Sequence, residues 1–160
     1  MRTLILMRHA KSDWSAPELS DHQRTLNARG RRDAPRMGQW MQQQELIPEV
    51  VLASTAVRVR ETVAAILEQW SAAPPVHYSN DLYLAPPETI LRCVRSDSLG
   101  AQRVLVVGHN PGLAALVESL AQSHSYAMAT AAVAAFQLPI EDWQPLSAHS
   151  PVAAVTYGCP

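Results

Sequence analysis

The stretch Thr3-Leu4-Ile5-Leu6-Met7-Arg8-His9 narrows the possible folds more than any other part of the chain. Four apolar residues run together and stop at Arg8-His9. A run this short, closed by polar residues, is the pattern of a buried strand, although periodicity alone leaves a buried helical turn open. Read as a strand, it carries Arg8 and His9 at its carboxyl end, the edge at which open α/β sheets bind ligands. Arginine offers a planar fork of donors that matches a phosphate. Histidine can be a nucleophile or a proton carrier. Taken alone, the pair is equally well read as surface residues after an ordinary strand.

The rest of the chain repeats the pattern. Glu49 to Ala53 reads as a second strand that ends at Ser54, with a helix starting almost at once and running through Arg58 to about Trp70. Arg103 to Val107 is β-branched and continuously apolar, as expected of a central parallel strand, and it ends in Gly108-His109-Asn110-Pro111-Gly112. Between these lie a helix from an Asn27 N-cap to about Gln44, a short strand at Val76 to Tyr78, and a helix with Pro87 at its first position running to about Arg95. A helix from Leu113 to Ala121 follows, then strands at Ala131 to Leu138 and Val152 to Tyr157, with helix as the competing reading over Ala129 to Ala135. The alternation predicts a three-layer α/β/α fold around a mostly parallel sheet. Three strand ends then present Arg8 with His9, Ser54 with Arg58, and His109. Two arginines and two histidines converging on one sheet edge make a functional site.

The 160 residues suit one domain over 1–160. A chain of that size buries roughly 68–70% of its unfolded surface, enough for a core without staples. The net charge of −1 gives no argument for nucleic acid or an anionic membrane as partner. Cys93 and Cys159 lack metal-ligand spacing and read as free thiols. No apolar run is long enough for a membrane span or a signal-peptide core. The expectation is a soluble, cytoplasmic monomer. A metal bound by His9 and His109 is disfavoured because no carboxylate shares a ligand-type spacing with them.

These residues resemble the histidine phosphatase superfamily, and within it the short SixA-type phosphohistidine phosphatases. The resemblance is carried by Leu6-Met7-Arg8-His9-Ala10-Lys11-Ser12, Leu26-Asn27-Ala28-Arg29-Gly30, Ser54-Thr55-Ala56-Val57-Arg58 with Glu61-Thr62, and Val107-Gly108-His109-Asn110-Pro111-Gly112. Ala10 stands where the superfamily usually has glycine. The resemblance implies a phosphoglycerate-mutase-like fold without a lid insertion. It makes His9 a nucleophile that carries the phosphoryl group covalently, with Arg8, Arg58 and His109 around the phosphoryl oxygens, and it implies no metal or other cofactor. Lys11, Ser12 and Arg24 are candidate substrate contacts. Asp81 and Glu88 are the candidate general acids, though neither sits in an anchored motif, and Glu88 is also explained as a first-turn acid. An imidazole leaving from phosphorus needs less protonation than an alkoxide, so a weak or missing acid favours phosphohistidine on a protein, such as a histidine phosphotransfer domain. The rivals are a phosphatase of small phosphate esters using Asp81 or Glu88, and a non-catalytic module that binds phosphorylated ligands. Ser54 reads as turn or cap chemistry. Trp14, Trp40, Trp70 and Trp143 read as packing residues, and His22, His77, His124 and His149 as surface or satisfied core residues.

Overall fold

The computed structural model describes all 160 residues. Its elements in chain order are β1 (Arg2–Arg8), α1 (Ala28–Gln43), β2 (Val50–Ser54), α2 (Val57–Leu67), β3 (Val76–Ser79), α3 (Pro87–Asp97), β4 (Arg103–Gly108), α4 (Gly112–Ala121), β5 (Val133–Leu138) and β6 (Ala154–Gly158). Single 3-10 turns occupy Asp21–Gln23 and Asn80–Leu82. The strands form one sheet in the order β3-β2-β4-β1-β5-β6.

The three central strands explain their own composition. Leu4 and Leu6 of β1, Val50 and Leu52 of β2, and Val104 and Val106 of β4 enter the apolar layer shared with α3 and α4. Ile5 and Met7, Val51 and Ala53, and Leu105 and Val107 enter the opposite layer, shared with α1 and α2. Side chains alternate faces along a strand, so a strand covered on both sides must be apolar throughout. The two layers hold 25 and 20 buried apolar residues, so both faces of these three strands are covered.

Strands β1, β2, β3 and β4 are mutually parallel, while β5 runs antiparallel to β1 and β6 antiparallel to β5. The sheet is mostly parallel, as expected, with four of its six strands running together and an antiparallel pair closing one side. The Ala-Val stretch before Leu138 is strand rather than helix because β1 leaves an edge that β5 pairs from Arg2 to Met7. Helix α2 stops at Leu67, short of the expected Trp70. Trp70 instead lies in the following turn, buried, and donates its indole N–H to the Gly38 carbonyl of α1 at 2.9 Å.

Local chemistry sets α1 where the site needs it. Asn27 caps the helix by accepting from the Gly30 amide at 2.9 Å. The arginines in its first turn, which oppose the helix dipole, have partners: Arg29 and Arg32 flank the buried Asp33 carboxylate, and Arg31 donates to the Leu26 carbonyl. A Cβ on Gly30 would stand 2.1 Å from the Lys11 carbonyl oxygen. The helix therefore lies hard against the loop that leaves β1. No helix is long and apolar enough to cross a membrane.

Candidate active site

Strand order brings the three ends together. β4 lies between β2 and β1, with Arg8 in register with Gly108 and Ala53 with Val107. Ser54, His109 and His9 therefore follow one another along one edge. Arg58 arrives from the first turn of α2. The structure brings together all four residues that the sequence singles out: Arg58 Nε donates to His9 Nε2 at 3.3 Å, Arg58 Nη2 lies 3.3 Å from His109 Nδ1, and Arg8, His9, Arg58 and His109 line one hollow of about 220 Å³.

Each imidazole is oriented by a fixed partner. His9 Nδ1 lies 2.7 Å from the Ala10 carbonyl, which can only accept, so Nδ1 carries the proton and Nε2 faces Arg58 as an acceptor. The Ala10 amide in turn donates to Thr62 Oγ1 at 3.0 Å, and Thr62 donates to the Arg58 carbonyl one turn back along α2. His109 has the opposite tautomer. Its Nδ1 accepts from Arg58, so Nε2 carries the proton and donates to Ser54 Oγ at 2.8 Å. Ser54 also accepts from the Ala56 amide. The turn reading of Ser54 is correct but incomplete, because its hydroxyl also holds a site histidine.

Burial disfavours the charged form of both rings. The Ala10 hydrogen bond pulls His9 the other way, but burial and the guanidiniums of Arg58, Arg8 and Arg24 hold it at about 4. Burial, then His9 and Arg58, push His109 down to about 3. Both rings are neutral at pH 7, and the lone pair of His9 Nε2 is unprotonated, engaged by the Arg58 Nε–H across 3.3 Å.

The remaining lining residues are Lys11, Ser12, Trp14, Asp21, Arg24, Leu84, Asn110 and Thr130. Lys11, Ser12 and Arg24 thus reach the hollow. Arg24 is buried, donates to Ser12 and pairs with Asp21 at 3.1 Å. Asp21 gives no signal in the sequence beyond its spacing of three from Arg24. It accepts from Arg24 on Oδ1, and from Arg58 and the Tyr83 hydroxyl on Oδ2. Burial would raise its carboxyl, but Tyr83 and the two guanidiniums outweigh that and hold it at about 2.

Asp81 and Glu88 are not brought to the hollow. Asp81 pairs with Arg92 at 3.5 Å and Glu88 with Arg95 at 2.5 Å, all four on elements away from the lining. Trp14 is not a packing residue: it is 71% exposed, with the Arg24 guanidinium 3.5 Å from its ring centroid. His22 bonds Thr55 and meets Tyr83 edge-on, outside the lining. No three His, Cys, Asp or Glu side chains converge as a metal-ligand set. Chemically, the hollow offers an unprotonated imidazole nitrogen, several cationic donors for an oxyanion, and one carboxylate that is already ionised.

Residues 4–83 match the family model described as the histidine phosphatase superfamily (branch 1). An uncharacterised protein of Mycobacterium leprae is 36% identical over 120 residues, 73% of this chain and 72% of that one. A structure from Nakamurella multipartitia, assigned provisionally as the phosphohistidine phosphatase SixA, is 30% identical with a TM-score of 0.77, covering 97% of this chain and 95% of that one. A second with the same provisional assignment, from Agrobacterium tumefaciens, is 27% identical with a TM-score of 0.74, covering 86% and 92%.

Proposed function

The chain belongs to the histidine phosphatase superfamily, and on that premise we propose that it removes a phosphoryl group from phosphohistidine on a protein, through a covalent intermediate on His9. One observation carries the choice of substrate. Asp21 is the only carboxylate in the lining, it is held ionised at about 2, and its acceptor positions are filled by Arg24, Arg58 and Tyr83. Such a group has no proton to give to a leaving alkoxide. A phosphohistidine ring protonated on its far nitrogen asks for none. When the P–N bond breaks, the bonding pair returns to the ring and imidazole departs neutral.

The step on the enzyme side follows from the tautomer. His9 Nε2 forms the new N–P bond while Nδ1 keeps its proton against the Ala10 carbonyl. The ring becomes a phosphoimidazolium, and the carbonyl stabilises the charge it gains. Arg8 and Arg58 flank the equatorial phosphoryl oxygens, whose charge is what a phosphoryl-transfer site must stabilise. A water then attacks phosphorus, inorganic phosphate leaves and neutral His9 is restored.

The test is phosphate release from a phosphohistidine-bearing phosphotransfer domain and from an aryl phosphate, for wild type and His9→Ala, compared as kcat/KM. Preference for the phosphoprotein, lost in the variant, is the expected result. Better turnover of the ester would reassign the substrate. Activity that survives His9→Ala would end the covalent mechanism.

A further inference from the structure

Two large apolar side chains stand at the mouth of an otherwise polar hollow. Trp14 is 71% and Leu84 50% exposed, and both line it. Leu84 is also the shared wall between the hollow and an adjoining groove of about 210 Å³ formed with Pro86, Pro87, Pro111 and Ala115. Exposed apolar residues scattered singly mean little. These two share a site whose other lining is almost wholly charged or polar.

The backbone at Leu84 adds an independent argument. Leu84 has φ +51°, in the left-handed region that leucine rarely adopts. Its neighbours account for this. Leu82 and Ala85 are buried. Tyr83 is hooked to Asp21 and meets the His109 ring edge-on at 5.3 Å. The Ala85 carbonyl lies so close to α4 that a Cβ on Gly112 would stand 1.8 Å from it. Pinned on both sides, the chain turns Leu84 outward. Strain of this kind persists where the surroundings over-determine it and clusters at functional sites. A glycine or asparagine would relieve the backbone. What leucine adds is an apolar side chain facing solvent beside the nucleophile. Trp14 is held in a similar way, by the Arg24 guanidinium against its ring, and Arg24 is itself fixed by Asp21.

We propose that Trp14 and Leu84 form an apolar rim that binds the carrier of the phosphoryl group: the imidazole ring of phosphohistidine and the apolar side chains beside it on the phosphorylated protein, one of which enters the groove behind Leu84. This rests on the phosphohistidine reading above and extends it. The phosphoryl group is gripped by the polar floor, and the rim distinguishes what the phosphoryl group is attached to. An apolar contact of this size is worth about tenfold in affinity.

The experiment compares the phosphohistidine protein with phosphoramidate, which has the P–N bond but no carbon. Variants are Leu84→Gly, Leu84→Met, Trp14→Ala and Trp14→Phe. In Leu84→Gly the ratio of kcat/KM for the protein over phosphoramidate should fall about tenfold, chiefly through KM, while Tm stays level or rises because the backbone is relieved. Trp14→Ala should lower the same ratio, and the Met and Phe variants should restore it. An unchanged ratio in both truncated variants, or equal losses on both substrates, overturns the rim. No wild-type turnover of the phosphoprotein would instead end the substrate reading, and the rim's occupant with it.

Discussion

Ser54 Oγ lies 2.8 Å from His109 Nε2, and both side chains are buried. The hydroxyl fixes His109 with its proton on Nε2 and its lone pair toward Arg58. Replacing Ser54 by Ala leaves a buried N–H without a partner, at a cost of about 1–3 kcal/mol. The expected result is a roughly tenfold lower kcat, with His109 free to change tautomer. The tautomer is read from the ¹⁵N shifts of the His109 ring. An unchanged spectrum together with unchanged kcat would return Ser54 to a purely structural role.

The pH dependence follows from the two depressed histidines. The folded values are about 4 for His9 and about 3 for His109, against an ordinary value of 6.5. Between those limits the unfolded chain binds more protons than the native one, so stability rises with pH. The contribution is complete above pH 6.5 and is lost as pH falls toward 4 and then 3. For His9 the span amounts to about 3 kcal/mol. Denaturant midpoints measured from pH 7 to 4 should drop, and His9→Ala should flatten the slope. Through pH 6.5 His9 stays an unprotonated nucleophile, so an NMR titration of its ring should show its midpoint near 4 and none near 6.5 in the free enzyme.

Arg58 ties together three side chains of the site. Its Nε donates to His9, and Nη2 to both Asp21 and His109. Lysine cannot reproduce that fork. Arg58→Lys should lower kcat/KM by about 10²–10³ for phosphoramidate and phosphoprotein alike, because the loss is at the phosphoryl oxygens and not at the leaving group. A loss confined to one substrate would mean that Arg58 recognises the carrier instead.

Asp81 and Glu88 make the opposite prediction. Their surface pairs with Arg92 and Arg95 are of the kind worth little. Asp81→Asn and Glu88→Gln should each leave turnover of every substrate within about twofold. A collapse of aryl phosphate turnover in either variant would show that a residue outside the hollow supplies a proton, and would favour the ester reading.

The contrast among these residues shows what a sequence can disclose. Arg8, His9, Arg58 and His109 are legible because each sits at or one turn beyond a strand end, and α/β topology places those ends side by side. Asn27 is legible as a cap because capping is local. Asp21, Tyr83, Trp14 and Leu84 lie on connections, where neither period nor topology says which way a side chain points. Leu84 depends on a backbone angle that leucine itself disfavours, and so no propensity argument reaches it. The arginines of α1 contradict the dipole rule until Asp33 is seen buried beneath them. The antiparallel β5 is open to a helical reading because alanine and valine are compatible with both, and only pairing with β1 decides between them.

Gly112 and Gly100 separate two reasons for having no side chain. Gly100 has φ +76° and nothing within 4 Å of the place a Cβ would take, so Gly100→Ala should cost only the left-handed penalty, about 1–2 kcal/mol, and leave turnover alone. Gly112 opens α4, and its constraint is space: the Ala85 carbonyl occupies the position a Cβ needs. Gly112→Ala must push the 82–86 segment away from α4. That segment carries Tyr83, which touches both Asp21 and His109, and Leu84 at the rim. The expected outcome is a stability loss of about 2–3 kcal/mol together with a fall in kcat/KM that Gly100→Ala does not show. Equal stability losses with untouched activity in both variants would mean that the segment can shift without moving Tyr83, and would remove the mechanical link from α4 to the site.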